Sequence, residues 1–163
     1  MVFSFPNPVN EVAARTVAAG VVVMSVAAIA TGWRWLLLVL LYGFAARVAT
    51  GPRLSPLGLL ATRVIVPRLP FAERPVPGPP KRFAQGMGLA FSLAATLLAL
   101  MFDAPTAAWV VTGMLAAAAF LEAAFGLCLG CRIFALLMRA GIIPQSTCEA
   151  CADIWSREAR ATS

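Results

Sequence analysis

The sequence contains no histidine and few charged residues. Without histidine, the chain has no imidazole ligand for haem and no Ser-His-Asp set, and it also lacks a glycine-rich phosphate loop. Haem ligation through histidine and most hydrolytic mechanisms are therefore excluded. Charged residues make up 12% of the 163 residues and hydrophobic residues 61%, far outside the usual range for soluble domains. This composition predicts an integral membrane protein.

The apolar residues are grouped in long blocks, as membrane-spanning helices require. A helix needs about 20 mostly apolar residues to cross the hydrocarbon core of a bilayer. Four stretches are close to this requirement: Val12–Thr31, Trp33–Ala49, Gln85–Phe102 and Thr106–Leu127. We therefore expect an all-α fold in which four transmembrane helices form two hairpins within residues 1–140. Residues 141–163 then form a cysteine-containing tail.

Basic residues are concentrated at one end of the predicted helices, with Arg34 as the exception among the thirteen lysines and arginines. Short loops rich in lysine and arginine stay in the cytoplasm. We therefore expect a multi-pass protein of the plasma membrane with both termini, and all four cysteines, on the cytoplasmic side.

The long connection Gly51–Phe83 carries most of this positive charge and eight of the twelve prolines. Within it, Ser55–Val66 is predicted as a short helix lying in the membrane interface, and Arg74–Pro80 as an extended segment that cannot be helical. Its expected partners are anionic lipid headgroups. The loop lacks the interleaved aromatic residues of a nucleic-acid-binding module, so no nucleic acid is expected.

The four cysteines form two Cys-x-x-Cys pairs with sixteen residues between them: Cys128, Cys131, Cys148 and Cys151. A reducing cytoplasm disfavours a structural disulfide, which leaves redox chemistry or metal binding. The spacing fits a zinc site with four thiolates. A helix over Arg132–Ala140 would carry the chain away from the first pair, but Gly141–Thr147 is long enough to bring it back. Both interpretations stay open.

The second pair follows a capping box, in which Ser146 precedes Glu149 by three residues. This pattern places Cys148 and Cys151 in the first turns of a terminal helix that runs to about Arg160. The positive end of a helix dipole favours thiolates there. The first pair is placed at the membrane surface, just after the fourth predicted helix. The alternative is that Cys128 and Cys131 are small apolar residues that finish this helix.

Four polar residues fall in the cytoplasmic third of the predicted helices: Arg15, Arg47, Gln85 and Glu122. A carboxylate inside a membrane helix is expensive and is usually paired or functional. We predict that Glu122 meets Arg15 or Arg47, either as an ion pair that fixes helix packing or as a proton-handling or anion-binding group.

Small residues predict the helix contacts, because membrane helices associate through close backbone approach. Gly86 with Ala90 and Gly113 with Ala117 fit that spacing. Four helices enclose little volume, so a transport pore would require a homo-oligomer. No motif marks a quinone site, although a quinone is not excluded as an electron acceptor.

Several motifs resemble those of a known family: Asn7-Pro-Val-Asn-Glu-Val-Ala-Ala-Arg15, Gly51-Pro-Arg-Leu-Ser-Pro-Leu-Gly58, Lys81-Arg-Phe-Ala-Gln85, and Glu122 followed by Gly126-Leu-Cys-Leu-Gly-Cys131. They are similar to the bacterial membrane family described as domain of unknown function 4395. The resemblance implies a multi-pass inner-membrane protein, often associated with thioredoxin-like or rhodanese-type sulfurtransferase proteins. It assigns no catalytic residue.

Together these patterns predict a thiol relay at the cytoplasmic face. In this scheme Cys148 and Cys151 meet a soluble thioredoxin- or rhodanese-like partner and pass a disulfide or a sulfane sulfur to Cys128 and Cys131. The alternative is a transport or scaffold protein whose tail is held by a structural Zn2+ on the same four cysteines.

Overall fold

The computed structural model describes residues 5–148. Three of its helices are long and apolar enough to cross a membrane: α1 (Glu11–Thr31), α4 (Gly78–Leu100) and α5 (Pro105–Phe125). A fourth apolar helix, α2 (Trp35–Thr50), has 16 residues. The remaining helices are a short one in the long loop, α3 (Pro56–Leu60), and one after the last long helix, α6 (Leu129–Arg139). The fold is helical and has the character of a membrane protein.

All four predicted apolar blocks form helices, but their ends differ from the prediction. Helix α4 begins at Gly78, within the segment predicted to be extended, and includes Pro79 and Pro80 in its first turn. Proline is tolerated there because the first N–H groups of a helix have no partner within it. The prediction that the chain is non-helical up to Pro80 is therefore wrong. Helix α5 ends at Phe125, because Gly126 adopts a left-handed conformation with φ of 69°.

The core lies where α1 packs on α5 and α2 packs on α4. Within it, Gly88 of α4 packs directly against Phe44 of α2, because an added Cβ would lie 2.1 Å from the Phe44 ring. The glycines predicted to make the contacts do not: a Cβ at Gly86 or Gly113 would meet no atom within 4 Å. Glycine is thus required at Gly88, on another face of α4 than the one predicted.

The long loop is folded against the helices. After α3 the chain continues as a π-helical turn, Ala61–Ile65, and a 3-10 turn, Val66–Arg68, so the predicted short helix is present and slightly longer. A two-residue strand before α1, β1 (Val9–Asn10), pairs antiparallel with β2 (Pro75–Val76) at the end of the loop. This pairing holds the loop beside the start of α1.

Candidate functional site

Cys128 and Cys131 lie at the start of α6. The left-handed Gly126 ends α5, and two residues later Cys128 is the N-cap of α6, with its Sγ accepting a hydrogen bond from the N–H of Cys131 at 3.3 Å. Gly130 sits against α4, where an added Cβ would lie 2.5 Å from the Cα of Ala84. The alternative that this pair finishes the preceding helix is therefore wrong, because the pair opens the next one.

The two thiols differ in acidity. Both are free, and Cys128 is buried whereas Cys131 is partly exposed. A hydrogen bond from the Cys131 thiol lowers the pKa of Cys128, and the charge of Lys81 acts in the same direction against burial and Glu122. The same hydrogen bond, together with burial, raises the pKa of Cys131. Cys128 is therefore the sulfur of the pair that ionises first.

Glu122 pairs with Lys81, and this pair lies next to the cysteines. The Nζ of Lys81 donates to the Oε1 of Glu122, and the two side chains are only 8% and 15% exposed. The prediction that Glu122 meets Arg15 or Arg47 is wrong. Lys81 was missed because the sequence assigned it to the loop, whereas the earlier start of α4 brings it onto the same helix as Gln85.

Arg47 is buried beside this pair with neutral partners. It is 4% exposed; its Nε donates to the Oε1 of Gln85 at 2.9 Å and its Nη1 donates to the Oγ of Ser55 at 3.1 Å. Its guanidinium lies 4.4 Å from the ring centroid of Phe44, in a cation–π contact. The predicted grouping of Arg47 with Gln85 is thus present as a hydrogen bond.

Arg15 takes a different role from the predicted one. Its guanidinium donates to the carbonyl oxygens of Ala123 and Ala124 at 3.0 to 3.2 Å. These are among the last carbonyls of α5, which have no partner within the helix, and a cation at that end is favourable. Arg15 therefore joins α1 to the end of α5 just before the cysteine pair.

Cys148 packs against α6. It is 4% exposed and forms a cluster with Phe134 and Met138. It is also disulfide-bonded, so the expectation that the cysteines form no structural disulfide is wrong for this residue. Cys148 follows a 3-10 turn, Gln145–Thr147, and its own φ is −150°, which is not helical. The prediction that it lies in the first turn of a helix is therefore wrong. Glu149, Cys151 and the predicted terminal helix lie outside the described residues. Within residues 5–148, no three cysteine or acidic side chains are grouped as metal ligands.

A cleft of about 220 Å³ lies beneath the cysteine pair, between α4, α5 and the start of α6. Its polar lining consists of Gln85, Glu122 and Cys128, and the rest of its wall is almost entirely apolar or aromatic. Its apolar lining includes Phe44, Met87, Phe91, Met114, Leu115 and Leu129. The acidic thiol of the pair therefore borders an apolar space.

The model of a protein family described as domain of unknown function (DUF4395) matches residues 9–139. This match covers most of the chain, and the chain belongs to that family. No curated protein and no solved structure matches it. The matched segment contains the ion pair and the first cysteine pair, whereas Cys148 lies beyond it.

Proposed function

The family to which the chain belongs has no assigned activity. We propose that this member is a thiol exchange protein of the plasma membrane. Its Cys128–Cys131 pair exchanges disulfide electrons, or sulfane sulfur, with a soluble thioredoxin- or rhodanese-like partner. The observation that carries the proposal is the position of the pair: two free thiols at a helix start, one with a lowered pKa and the other partly exposed.

The unequal exposure and acidity of the two sulfurs give the exchange a direction. A partner thiolate attacks the more exposed Cys131 sulfur of the Cys128–Cys131 disulfide, and the S–S bond breaks with Cys128 leaving as the thiolate. A leaving thiol of low pKa departs faster, and the backbone N–H of Cys131 stays in place to stabilise that anion. The second partner thiol then releases the mixed disulfide, so that one partner dithiol is oxidised and one Cys128–Cys131 pair is reduced.

The same pair supports sulfane-sulfur exchange. The partly exposed Cys131 takes the outer sulfur of a partner persulfide, forms a new persulfide as its own thiol proton is released, and the partner leaves as a thiol. In the relay predicted from the sequence, the second pair meets the partner. The burial of Cys148 against Phe134 and Met138 favours Cys131 as the contact instead.

The proposed topology has four spans, with α2 as the shortest and both termini in the cytoplasm. The 16 residues of α2 rise roughly 24 Å, and the exposed Trp33 and Trp35 at its start suit the headgroup level. All basic residues except Arg34 then lie on the cytoplasmic side. Several of these are exposed on the loop and suit anionic lipid headgroups: Arg53, Arg63, Arg68 and Arg74.

The test is to map which sulfur bonds to a partner. Purified oxidised protein is mixed with a thioredoxin whose resolving cysteine is replaced by serine, and the trapped mixed disulfide is mapped by mass spectrometry. We expect the bond at Cys131 and a free thiol at Cys128. The variant Cys128→Ser is the control, because it cannot form the intramolecular disulfide that the partner attacks.

Two results would count against the proposal. One is that oxidising glutathione buffers never join Cys128 to Cys131 while the protein stays folded. The other is stoichiometric zinc with all cysteines protected from alkylation, which would restore the zinc-scaffold alternative.

A further inference from the structure

The cleft beneath Cys128 opens toward the lipid-facing side of the protein. Its rim includes Met114, Leu129 and Ile133, whose exposed fractions are 56%, 41% and 38%. Met114 lies on α5, which is long and apolar enough to cross a membrane, and apolar side chains exposed on such a helix face acyl chains rather than water. A ligand of this cleft therefore enters from the bilayer.

The chemistry of the lining selects the kind of ligand. About 220 Å³ is below the usual range for drug-sized molecules and suits a single ring whose tail stays in the lipid. Phe44 and Phe91 provide aromatic walls for a planar ring. The Oε1 of Gln85 is engaged by Arg47, which leaves the amide nitrogen as a donor of the kind that a ring carbonyl accepts.

The two sulfurs are neighbours at the start of α6, but they differ in what they border. Cys128 is part of the cleft wall, but Cys131 is not among the described residues that line it. At 3.6 residues per turn, three residues span about 300°, so Cys128 and Cys131 lie on the same side of the helix, where the Cys131 thiol hydrogen-bonds to the Cys128 sulfur. One thiol of the pair therefore borders the apolar cleft, and the other, which is partly exposed, lies close enough to it to form the S–S bond.

We propose that the cleft binds a membrane-dissolved quinone, which is the electron acceptor of the Cys128–Cys131 dithiol. This inference rests on the proposed thiol exchange. The Cys128 thiolate attacks the quinone ring, and the Cys131 sulfur then attacks the Cys128 sulfur, forming the S–S bond and releasing the reduced ring. The two electrons of the dithiol pass to the quinone and its two oxygens take up two protons, giving one disulfide and one quinol.

The test uses purified, reduced protein in lipid nanodiscs and a fully substituted benzoquinone with a short isoprenoid tail. Full substitution prevents a stable thiol adduct on the ring. We expect one quinol, followed by absorbance, for every two thiols lost from Cys128 and Cys131. Ala118→Phe fills the cleft from α5 and Met114→Trp narrows its rim, so each should lower the rate at least tenfold. The matched control, Ala117→Phe, lies on an exposed part of the same helix outside the cleft and should leave the rate unchanged.

A parallel dithiol assay separates the two ideas. If oxidised protein accepts electrons from thioredoxin but the reduced pair does not reduce the quinone, the quinone inference fails and the exchange function stands. Equal quinone rates in the Ala118→Phe, Met114→Trp and Ala117→Phe variants would also overturn the inference. If neither assay shows turnover, both proposals fail together.

Discussion

Two ion pairs join helices at opposite ends of the molecule, in opposite environments. Arg34 and Asp103 meet at 2.9 Å between the two helix turns, with side chains 39% and 82% exposed, whereas Lys81 and Glu122 are almost buried beside the cysteines. Solvent screens the first pair and side-chain entropy offsets much of its attraction. The second pair is shielded from solvent, so neither of its charges is stabilised by water and each depends on the other for stabilisation. The comparison shows that a charge at the cysteine end must have a partner, whereas a charge at the opposite end can be solvated by water.

The largest expected effect is the loss of one partner from the buried pair. Lys81→Met leaves the Glu122 carboxylate buried without its cation, and removing one member of a buried pair is typically destabilising by about 3 to 5 kcal/mol. The unfolding free energy, measured by titrating detergent micelles with sodium dodecyl sulfate, should fall by that amount.

The matched control is the double variant Lys81→Met with Glu122→Leu, in which no charge is left unpaired. It should recover most of the lost stability, because an apolar pair of similar volume is often neutral. Equal stability of Lys81→Met and the wild type would mean that Glu122 is neutral or has another cation, and the contrast between the two ends would disappear.

The next effect concerns the cysteine pair above the buried ion pair. Cys131→Ala removes the thiol that hydrogen-bonds to the Cys128 sulfur, so the pKa of Cys128 should rise and its pH profile of alkylation should move to higher pH. A hydrogen bond to a charged group is worth roughly 1.5 to 3 kcal/mol. The rate of iodoacetamide reaction at Cys128 near pH 7, mapped by mass spectrometry, should therefore fall by about tenfold or more.

Cys131→Ser is the control for this change, because its hydroxyl keeps a donor at the same position. Its profile should stay close to that of the wild type. If the alanine and serine variants gave the same profile, the side-chain hydrogen bond would not be what makes Cys128 acidic.

The sequence predicted the helices well, because apolar blocks of membrane length have few other solutions. The prediction was wrong at helix boundaries where one residue type is compatible with two different local structures. Pro79 and Pro80 were interpreted as helix breakers, although proline also suits the first helical turn. Because the start of α4 was predicted too late, Lys81 was assigned to the loop and was not considered as a partner of Glu122. At the other boundary, Gly126 was the signal that α5 stops before Cys128, and the pair could have been placed at the start of α6 from that residue.

The partners across helices could not be predicted, because depth in a membrane is a property of the sequence but rotation of a helix is not. Glu122 was grouped with three candidate polar residues at one end of the helices, yet its partner is a fourth residue, Lys81. Likewise Gly86 and Gly88 lie two residues apart and therefore about 200° apart around α4. Only Gly88 faces Phe44.

The smallest expected effect is at the opposite end of the molecule. Asp103 has a positive φ of 45°, a conformation that asparagine tolerates as well as aspartate. Asp103→Asn therefore removes the charge without straining the turn, and Arg34 keeps its hydrogen bond to the carbonyl of Ala99 at 3.1 Å. The unfolding free energy should change by less than about 1 kcal/mol, and the difference should shrink further in high salt. Solvent screening should prevent this exposed pair from contributing as much as about 2 kcal/mol to stability. A larger loss in the same micelle titration would therefore contradict the difference between the exposed and the buried pair.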